Sequence, residues 1–433
     1  MVVIADDLTG AADCAGPSAA LGCRAMVLLY SPDDRESEPW PDTDILSIDA
    51  NSRCLSADQA SELATRLVCL SDSHNAAVQE HVLFKKIDST LRGNVATEVA
   101  ALLNARRSSN SVNANLSILM APALPSQGRT TIGGRLLVHG VPLEKTDIWQ
   151  TEARTAPSDI LQLLANANLS SKLIGTEIVR SGVSGLRRAI SQFAEHHDAV
   201  VCDAETDSDL HAIAEASLSV PTITALVGSA GLACQVPRLI GIAPNPDTPG
   251  WNFVAGPTLF VVGTAASVSL QQARLLEAIP DVATIRVSAP DLHESTSICS
   301  QIMQDLQSGR DVLLMLNGDE HCSNCDWQSL SQALSELASK CAPHLGALVA
   351  TGGETARAVL DALGIRRLRL LGEVEAGLPF SVADRWVRPL PVITKAGAFG
   401  SLQALVRCRD FLRQLERAPA SLQAKSSLTD YET

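Results

Sequence analysis

The sequence predicts an α/β protein of two domains with mostly parallel sheets and an active site in the cleft between them. Three observations carry the fold. Strand-length apolar runs alternate with helix-length segments along most of the chain, as in sheets joined by crossover helices. One stretch, residues 237–257, interrupts the alternation with five prolines and turn-forming residues. At 433 residues the chain exceeds one ordinary core and suffices for two. The expected division is therefore 1–236, a linker 237–257, a second domain 258–417 and a polar, frayed tail 418–433.

In the first half, strands are expected over residues 2–5, 25–30, 45–49, 82–87 and 116–121. Helices are expected over 11–21, 56–70 and 93–106. Gly22 stands where a helix C-terminal glycine belongs, and Pro17 is expected to kink or shorten the first helix. Residues 108–115 are polar and Asn/Ser-rich, so they read as an exposed loop. The run 121–135, APALPSQGRTTIGGR, breaks the rhythm. It then resumes: a helix from a Ser158 cap to about residue 167, a strand 172–175, a helix 184–197, and strands 200–204 and 223–227. A short helix opens within 228–231.

Beyond the linker, strands are expected over 259–262, 283–287, 312–316 and 347–350, with helices centred on 271–278, 297–306 and 327–340. The low aromatic content of 3% matches these aliphatic strands. No internal repeat links the halves.

Composition narrows the function. Hydrophobic residues make 46% and charged residues 19% of the chain, an ordinary soluble composition. No apolar run approaches the roughly 20 residues that span a bilayer. The first residues lack the basic-then-apolar pattern of a signal peptide, so a cytoplasmic location is expected. A net charge of −14 gives no sign of the basic face that a general polyanion binder needs. Eleven cysteines, scattered and odd in number, are expected reduced and buried. Cys322 and Cys325 have CxxC spacing beside His321. A structural zinc site needs four ligands and no second pair appears, so this reads as an incidental loop pair.

Six strand-to-helix turns carry candidate chemistry. The first is VVIADDLTGAAD, where a strand ends in Asp6 and Asp7 and Thr9-Gly10 opens a helix. Ligands of open α/β sheets sit at such strand ends, although an aspartate there also caps helices. The second, FKKIDSTLRGN, gathers Lys85, Lys86, Asp88, Ser89, Thr90 and Arg92, the groups an anionic polyol requires. Its alternative reading is a charged turn with Asp88 or Ser89 as a cap. The third, DANSR, offers Arg53 as a carboxylate clamp or a surface arginine. The fourth, ATGGETA, runs a strand into Gly352-Gly353-Glu354-Thr355 and a helix. That is a phosphate-loop geometry without the Walker A lysine pattern. The fifth, KAGAFG, is a Gly-rich turn containing Gly397 and Gly400, and the sixth, GTAASVSLQQ, offers Thr264 and Ser267. Three such turns together favour a nucleotide site. A dinucleotide site fits less well, because no GxGxxG opens either half.

These stretches, with APALPSQGRTT, VGSAGLA and GEVEAGLP, occur in the same order as in the four-carbon acid sugar kinase family, which the chain resembles from residue 1 to about 400. The resemblance implies an acid-sugar-binding N-terminal domain, an ATP-binding C-terminal domain, and phosphorylation of a terminal tetronate hydroxyl. The FKKIDSTLRGN wording resembles the threonate/erythronate branch, so D-threonate is the expected substrate, with D-erythronate or a 3-oxotetronate as alternatives. Two turns depart from the family. Ala396 and Ala398 stand for Ser and Asn, and Gly263-Thr264-Ala265-Ala266 stands for Gly-Ser-Cys-Ser, which weakens the transfer of side-chain contacts in both turns and leaves the backbone contacts.

The implied site has Arg53 and Lys86 on the substrate carboxylate, Asp88 and Ser89 on its hydroxyls, and Asp7 as substrate contact and general base. Asp6 is structural or near Mg²⁺. Thr264, Ser267, Gly352, Gly353, Glu354, Thr355, Gly397 and Gly400 would hold ATP. The metal ligands are unassigned. Expected partners are the sugar acid, ATP and at most a second copy of the chain, with no nucleic acid and no membrane. Two other classes stay open: an NAD(P)-dependent hydroxy-acid oxidoreductase and a non-catalytic two-lobed sensor.

Overall fold

The computed structural model describes residues 1–32, 40–74, 81–109, 115–146, 149, 158–245, 253, 256–264, 266–287, 295–316, 327–383 and 385–417. The chain divides into two compact units. One comprises Met1–Cys14 and Tyr30–Ala243; the other comprises Ala15–Leu29 and Pro244–Thr433.

In the first unit, β1 (Val2–Ala5), β3 (Ile45–Asp49), β4 (Leu83–Lys86), β5 (Ser117–Ala121), β9 (Ser171–Ile174), β10 (Ala199–Cys202) and β11 (Ile223–Gly228) lie in the order β3-β1-β4-β11-β5-β10-β9. Every pairing among them is parallel. The runs of β1, β3, β4, β5 and β10 are buried on both faces, as parallel strands covered by helices must be. The helices α1 (Leu8–Ala20), α2 (Ala57–His74) and α3 (Val95–Ser109) supply part of that cover. The 121–135 run resolves into a 3₁₀ turn at Pro125–Gln127 and a small antiparallel sheet of β6 (Arg129–Ile132), β7 (Arg135–Val138) and β8 (Val141–Pro142). Leu119, Phe84, Val200, Ile190 and Leu210 sit in the core on one side of the main sheet.

In the second unit, β12 (Thr258–Val262), β13 (Val282–Val287), β14 (Asp311–Leu316), β15 (Ala347–Thr351) and β18 (Leu390–Lys395) form a parallel set in the order β13-β14-β12-β15-β18. The antiparallel strands β17 (Pro379–Ala383), β16 (Arg367–Glu373) and β2 (Ala25–Leu29) extend it. Phe260, Leu313, Val349, Ile393 and Phe380 share its core.

Four readings of the sequence need correction. The first helix begins at Leu8, directly after Asp7, and runs through Pro17 to Ala20 as one helix. Gly22 follows with φ +90°. The strand at 25–29 falls in the second unit and pairs antiparallel with β16. Asp159, not Ser158, caps the helix Ile160–Ala165 by accepting from Gln162 N, while Ser158 Oγ donates to Glu144. Cys54 and Cys69 are exposed thiols, whereas Cys14, Cys202, Cys299, Cys341 and Cys408 are buried as expected. The pair Cys322/Cys325, residues 246–252, 254 and 255 of the linker, and the whole of 418–433 lie outside the described residues.

Candidate active site

Strand register brings the first set of candidates to one edge. Ala5 pairs with Asp49 on one side and Lys86 on the other, so β3, β1 and β4 end level. The residues that follow, Asp6-Asp7, Ala50–Arg53 and Ile87–Ser89, therefore leave the sheet together at its carboxyl end.

Asp7 caps α1. Its Oδ1 accepts from Gly10 N at 2.9 Å and its Oδ2 from Thr9 Oγ1 at 2.7 Å. Gly10 is required there for space. A Cβ on it would lie 2.6 Å from Asp7 Oδ1 and 2.7 Å from Lys86 Nζ. The missing side chain thus lets the Lys86 ammonium come up against the first turn of α1. Lys86 is only 6% exposed. Among the described residues, no hydrogen bond or ion pair holds its Nζ. Burial by itself would lower the Lys86 pKa, but Asp6, Asp7 and Asp88 outweigh it and raise it, so the side chain is a cation.

Arg53 sits among the same three carboxylates. Its Nε is 2.8 Å from Asp6 Oδ2, its Nη1 3.0 Å from Asp7 Oδ2 and its Nη2 3.6 Å from Asp88 Oδ1. Burial pushes the Asp7 carboxyl up, yet Arg53, Lys86 and the Thr9 hydroxyl together hold it below the usual carboxylate range. Asp88 is held well below that range by Arg92 and Arg53, again against burial. Its oxygens are occupied by its own turn, accepting from Thr90 N at 2.9 Å, Thr90 Oγ1 at 2.5 Å and Arg92 Nη2 at 2.6 Å. Ser89 Oγ accepts from Arg129 Nη1. Asp6 keeps one buried oxygen, Oδ1, without a hydrogen-bond partner among the described residues. The arrangement can take a small anion bearing hydroxyls: the Lys86 ammonium, charged and without a hydrogen bond among the described residues, can donate to it, and flanking carboxylates and a serine can orient O–H groups.

In the second unit, β12, β15 and β18 are neighbours, so the three Gly-rich turns after them lie side by side. Gly352 has φ +94°, which suits glycine, and its N–H donates to Lys395 O. The helix Gly353–Ala362 begins immediately after it. Its first turn offers backbone N–H groups to a phosphate. Thr264 Oγ1 accepts from Ala266 N and lies where a Gly397 Cβ would come within 2.6 Å. Thr355 is buried, its hydroxyl shared with Ser331 and Gly263 O, so this side chain locks two turns together. Ser267 opens the helix Ser267–Glu277, and Gly400 takes φ +89°.

The structure brings Asp7, Arg53, Lys86, Asp88 and Ser89, named from the sequence, to one sheet edge. The sequence reading left two further residues out. It did not identify Arg129, whose motif was visible but whose aim at Ser89 was not. It also missed Lys395. That ammonium donates to Ser269 Oγ and to the carbonyls of Ala396, Gly397 and Phe399 at 2.9–3.3 Å, folding the 396–400 turn around itself. Burial lowers its pKa to about 8. Gln272, on the same helix as Ser269, pins the turn further through the carbonyls of Phe399, Gly400 and Ser401.

A sugar-binding N-terminal domain family matches residues 1–236 and a nucleotide-binding C-terminal domain family matches residues 259–405. A D-threonate kinase of Cupriavidus necator is 39% identical, covering 97% of this chain and 99% of its own. A D-threonate kinase of Salmonella typhimurium is 30% identical, covering 96% and 99%. A crystal structure of a Salmonella typhimurium LT2 protein shares the fold, with TM-score 0.77, 20% identity, and coverage of 94% of this chain and 98% of that one.

Proposed function

The chain belongs to the four-carbon acid sugar kinase family, and from that premise we propose that it transfers the γ-phosphoryl group of ATP to the 4-hydroxyl of D-threonate, giving D-threonate 4-phosphate. It is an ATP-dependent sugar acid kinase. The observation that supports the substrate side is Lys86: a buried ammonium, held charged by Asp6, Asp7 and Asp88 and with no hydrogen bond or close ion pair among the described residues, can donate to an anionic ligand.

In this reading Lys86 and Arg53 receive the tetronate carboxylate. Asp88 and Ser89 face its hydroxyls, and Asp7 accepts the proton of the attacking 4-hydroxyl. A carboxylate below its usual pKa is a weak base, but phosphoryl transfer runs through a loose transition state in which positioning and charge neutralisation dominate. The first-turn N–H groups after Gly352, with Thr264, Ser267, Glu354, Gly397 and Gly400, cradle the nucleotide phosphates.

Mg²⁺ fits as an ion carried largely by phosphate oxygens and water. The described residues contain no cluster of three or more His, Cys, Asp or Glu that would hold a metal ion by itself, and Mg²⁺ needs only one or two carboxylates beside phosphates. When bound, it neutralises charge on the transferring group. No described helix is long and apolar enough to cross a membrane, and we place the enzyme in the cytoplasm.

The test is a coupled ADP-release assay over D- and L-threonate, D- and L-erythronate and 3-oxotetronates, with product analysis to locate the phosphate. D-threonate should give the highest kcat/KM and a 4-phosphate. A higher kcat/KM on D-erythronate or a 3-oxotetronate overturns the substrate assignment, and ADP release with none of them overturns the kinase reading.

A further inference from the structure

Adjacent lysines on β4 face opposite sides of the sheet. Lys86 meets α1 at the candidate site, whereas Lys85 points away and is 1% exposed. A buried ammonium is tolerated only when paired, and Lys85 has a partner: its Nζ is 3.2 Å from Glu98 Oε2 in the first turn of α3. The other oxygen of Glu98 accepts from Ser52 Oγ at 2.5 Å. Ser52 and Glu98 are themselves buried, at 1% and 2% exposed.

Ser52 directly precedes Arg53. The backbone N–H groups of both donate to Asp6 O, at 3.0 and 3.3 Å. Asn94, the residue before α3, turns its side chain outward to the same loop, donating to Ser52 O at 3.2 Å and Leu55 O at 2.9 Å. Gly93, with φ +80°, lies close enough that a Cβ would sit 3.3 Å from Arg53 Cγ. The start of α3 is therefore built against the loop that presents Arg53.

We propose that the buried Lys85–Glu98–Ser52 relay is a positioning device for Arg53, fixing where its guanidinium stands among Asp6, Asp7 and Asp88. Glu98 and Ser52 touch no reacting atom; they act through Arg53. Only the kinetic part of the test below rests on the tetronate reading.

Ser52→Ala removes the relay's last hydrogen bond while leaving the Lys85–Glu98 pair intact; Glu98→Gln leaves Lys85 as an unpaired buried charge and serves as the harsher variant. The direct readout is exchange of the Arg53 Nε–H, the proton donated to Asp6, followed by nitrogen-15 NMR of the full chain. Losing one buried hydrogen bond should speed that exchange about tenfold, and KM for D-threonate should rise about as much while KM for ATP moves by less than about twofold. Unchanged Arg53 exchange in folded Ser52→Ala overturns the proposal. So does faster exchange at all arginines with both KM values rising, which marks general loosening. Faster exchange confined to Arg53, in a protein whose wild type phosphorylates no tetronate, supports the relay and refutes the substrate reading instead.

Discussion

Arg53 Nη1 stands 3.0 Å from Asp7 Oδ2, so the proposed base and the proposed carboxylate clamp form one ion pair before any substrate arrives. The pairing explains why Asp7 stays ionised despite burial. It also means that neither residue can be changed without disturbing the other.

Asp7→Asn keeps an oxygen to accept from Gly10 N, and Asn caps helices about as well as Asp. The variant should therefore fold. With no carboxylate to take the hydroxyl proton, kcat should fall by roughly 10²-fold or more. ADP release at saturating substrate, beside a thermal melt, checks both halves; near-wild-type kcat would remove Asp7 from the base role.

Arg53→Ala leaves three clustered carboxylates without their shared cation. Removing one partner of a largely buried ion pair is destabilising, so Tm should drop. KM for the tetronate should rise at least about tenfold, with KM for ATP changed little. Equal weakening of both substrates would show that Arg53 does not clamp the carboxylate.

Lys86→Met removes a second cation from the same cluster. Asp6, Asp7 and Asp88 hold the ammonium charged against burial, so its loss should also lower Tm. Tetronate affinity should fall about 100-fold with the loss of a buried charge-assisted contact. Calorimetric titration with D-threonate reads the affinity. Wild-type affinity in the variant would refute the ligand role.

How much of this was legible follows from what each signal encodes. The strand-to-helix turns were readable because alternating apolar runs and Gly-rich junctions are local properties. The partner of β2 was not: its apolar run announces a strand but says nothing of pairing with β16, far along the chain. β16 itself, with Arg367, Arg369 and Glu373 among leucines, does not resemble the apolar runs used to find strands. The candidate residues could be grouped because three parallel strands end level. Their internal partners could not be foreseen, because the choice of Thr90 and Arg92 by Asp88, or of Ser89 by Arg129, depends on turn geometry.

On the nucleotide side, Gly352→Ala forces a left-handed φ of +94° onto a residue with a Cβ, a strain of about 1–2 kcal/mol. The strained turn precedes the helix N-terminus assigned to phosphate. KM for ATP should rise several-fold while tetronate affinity is retained. Initial rates over both substrates distinguish this from general damage, which would raise both.

Glu373 carries a pH prediction. Burial raises its carboxyl to about 7, opposed only in part by the Gly377 N–H, and a Cβ on Gly16 would lie 3.1 Å from its Oε1. The folded state therefore binds a proton more tightly than the unfolded chain, whose glutamate titrates near 4.5. A group raised in this way contributes stability that is fully present below the unfolded value and is lost as pH rises through the folded one. Between about pH 4.5 and 7, Glu373 should make stability decline. Glu373→Gln, neutral at every pH, removes that slope. Its Tm relative to wild type should then climb from pH 5 to pH 7.5, with Gln the more stable at the upper end. Parallel Tm curves for the two proteins across this range would mean that Glu373 titrates normally and that its burial against the Gly16 turn does not strain the charged form.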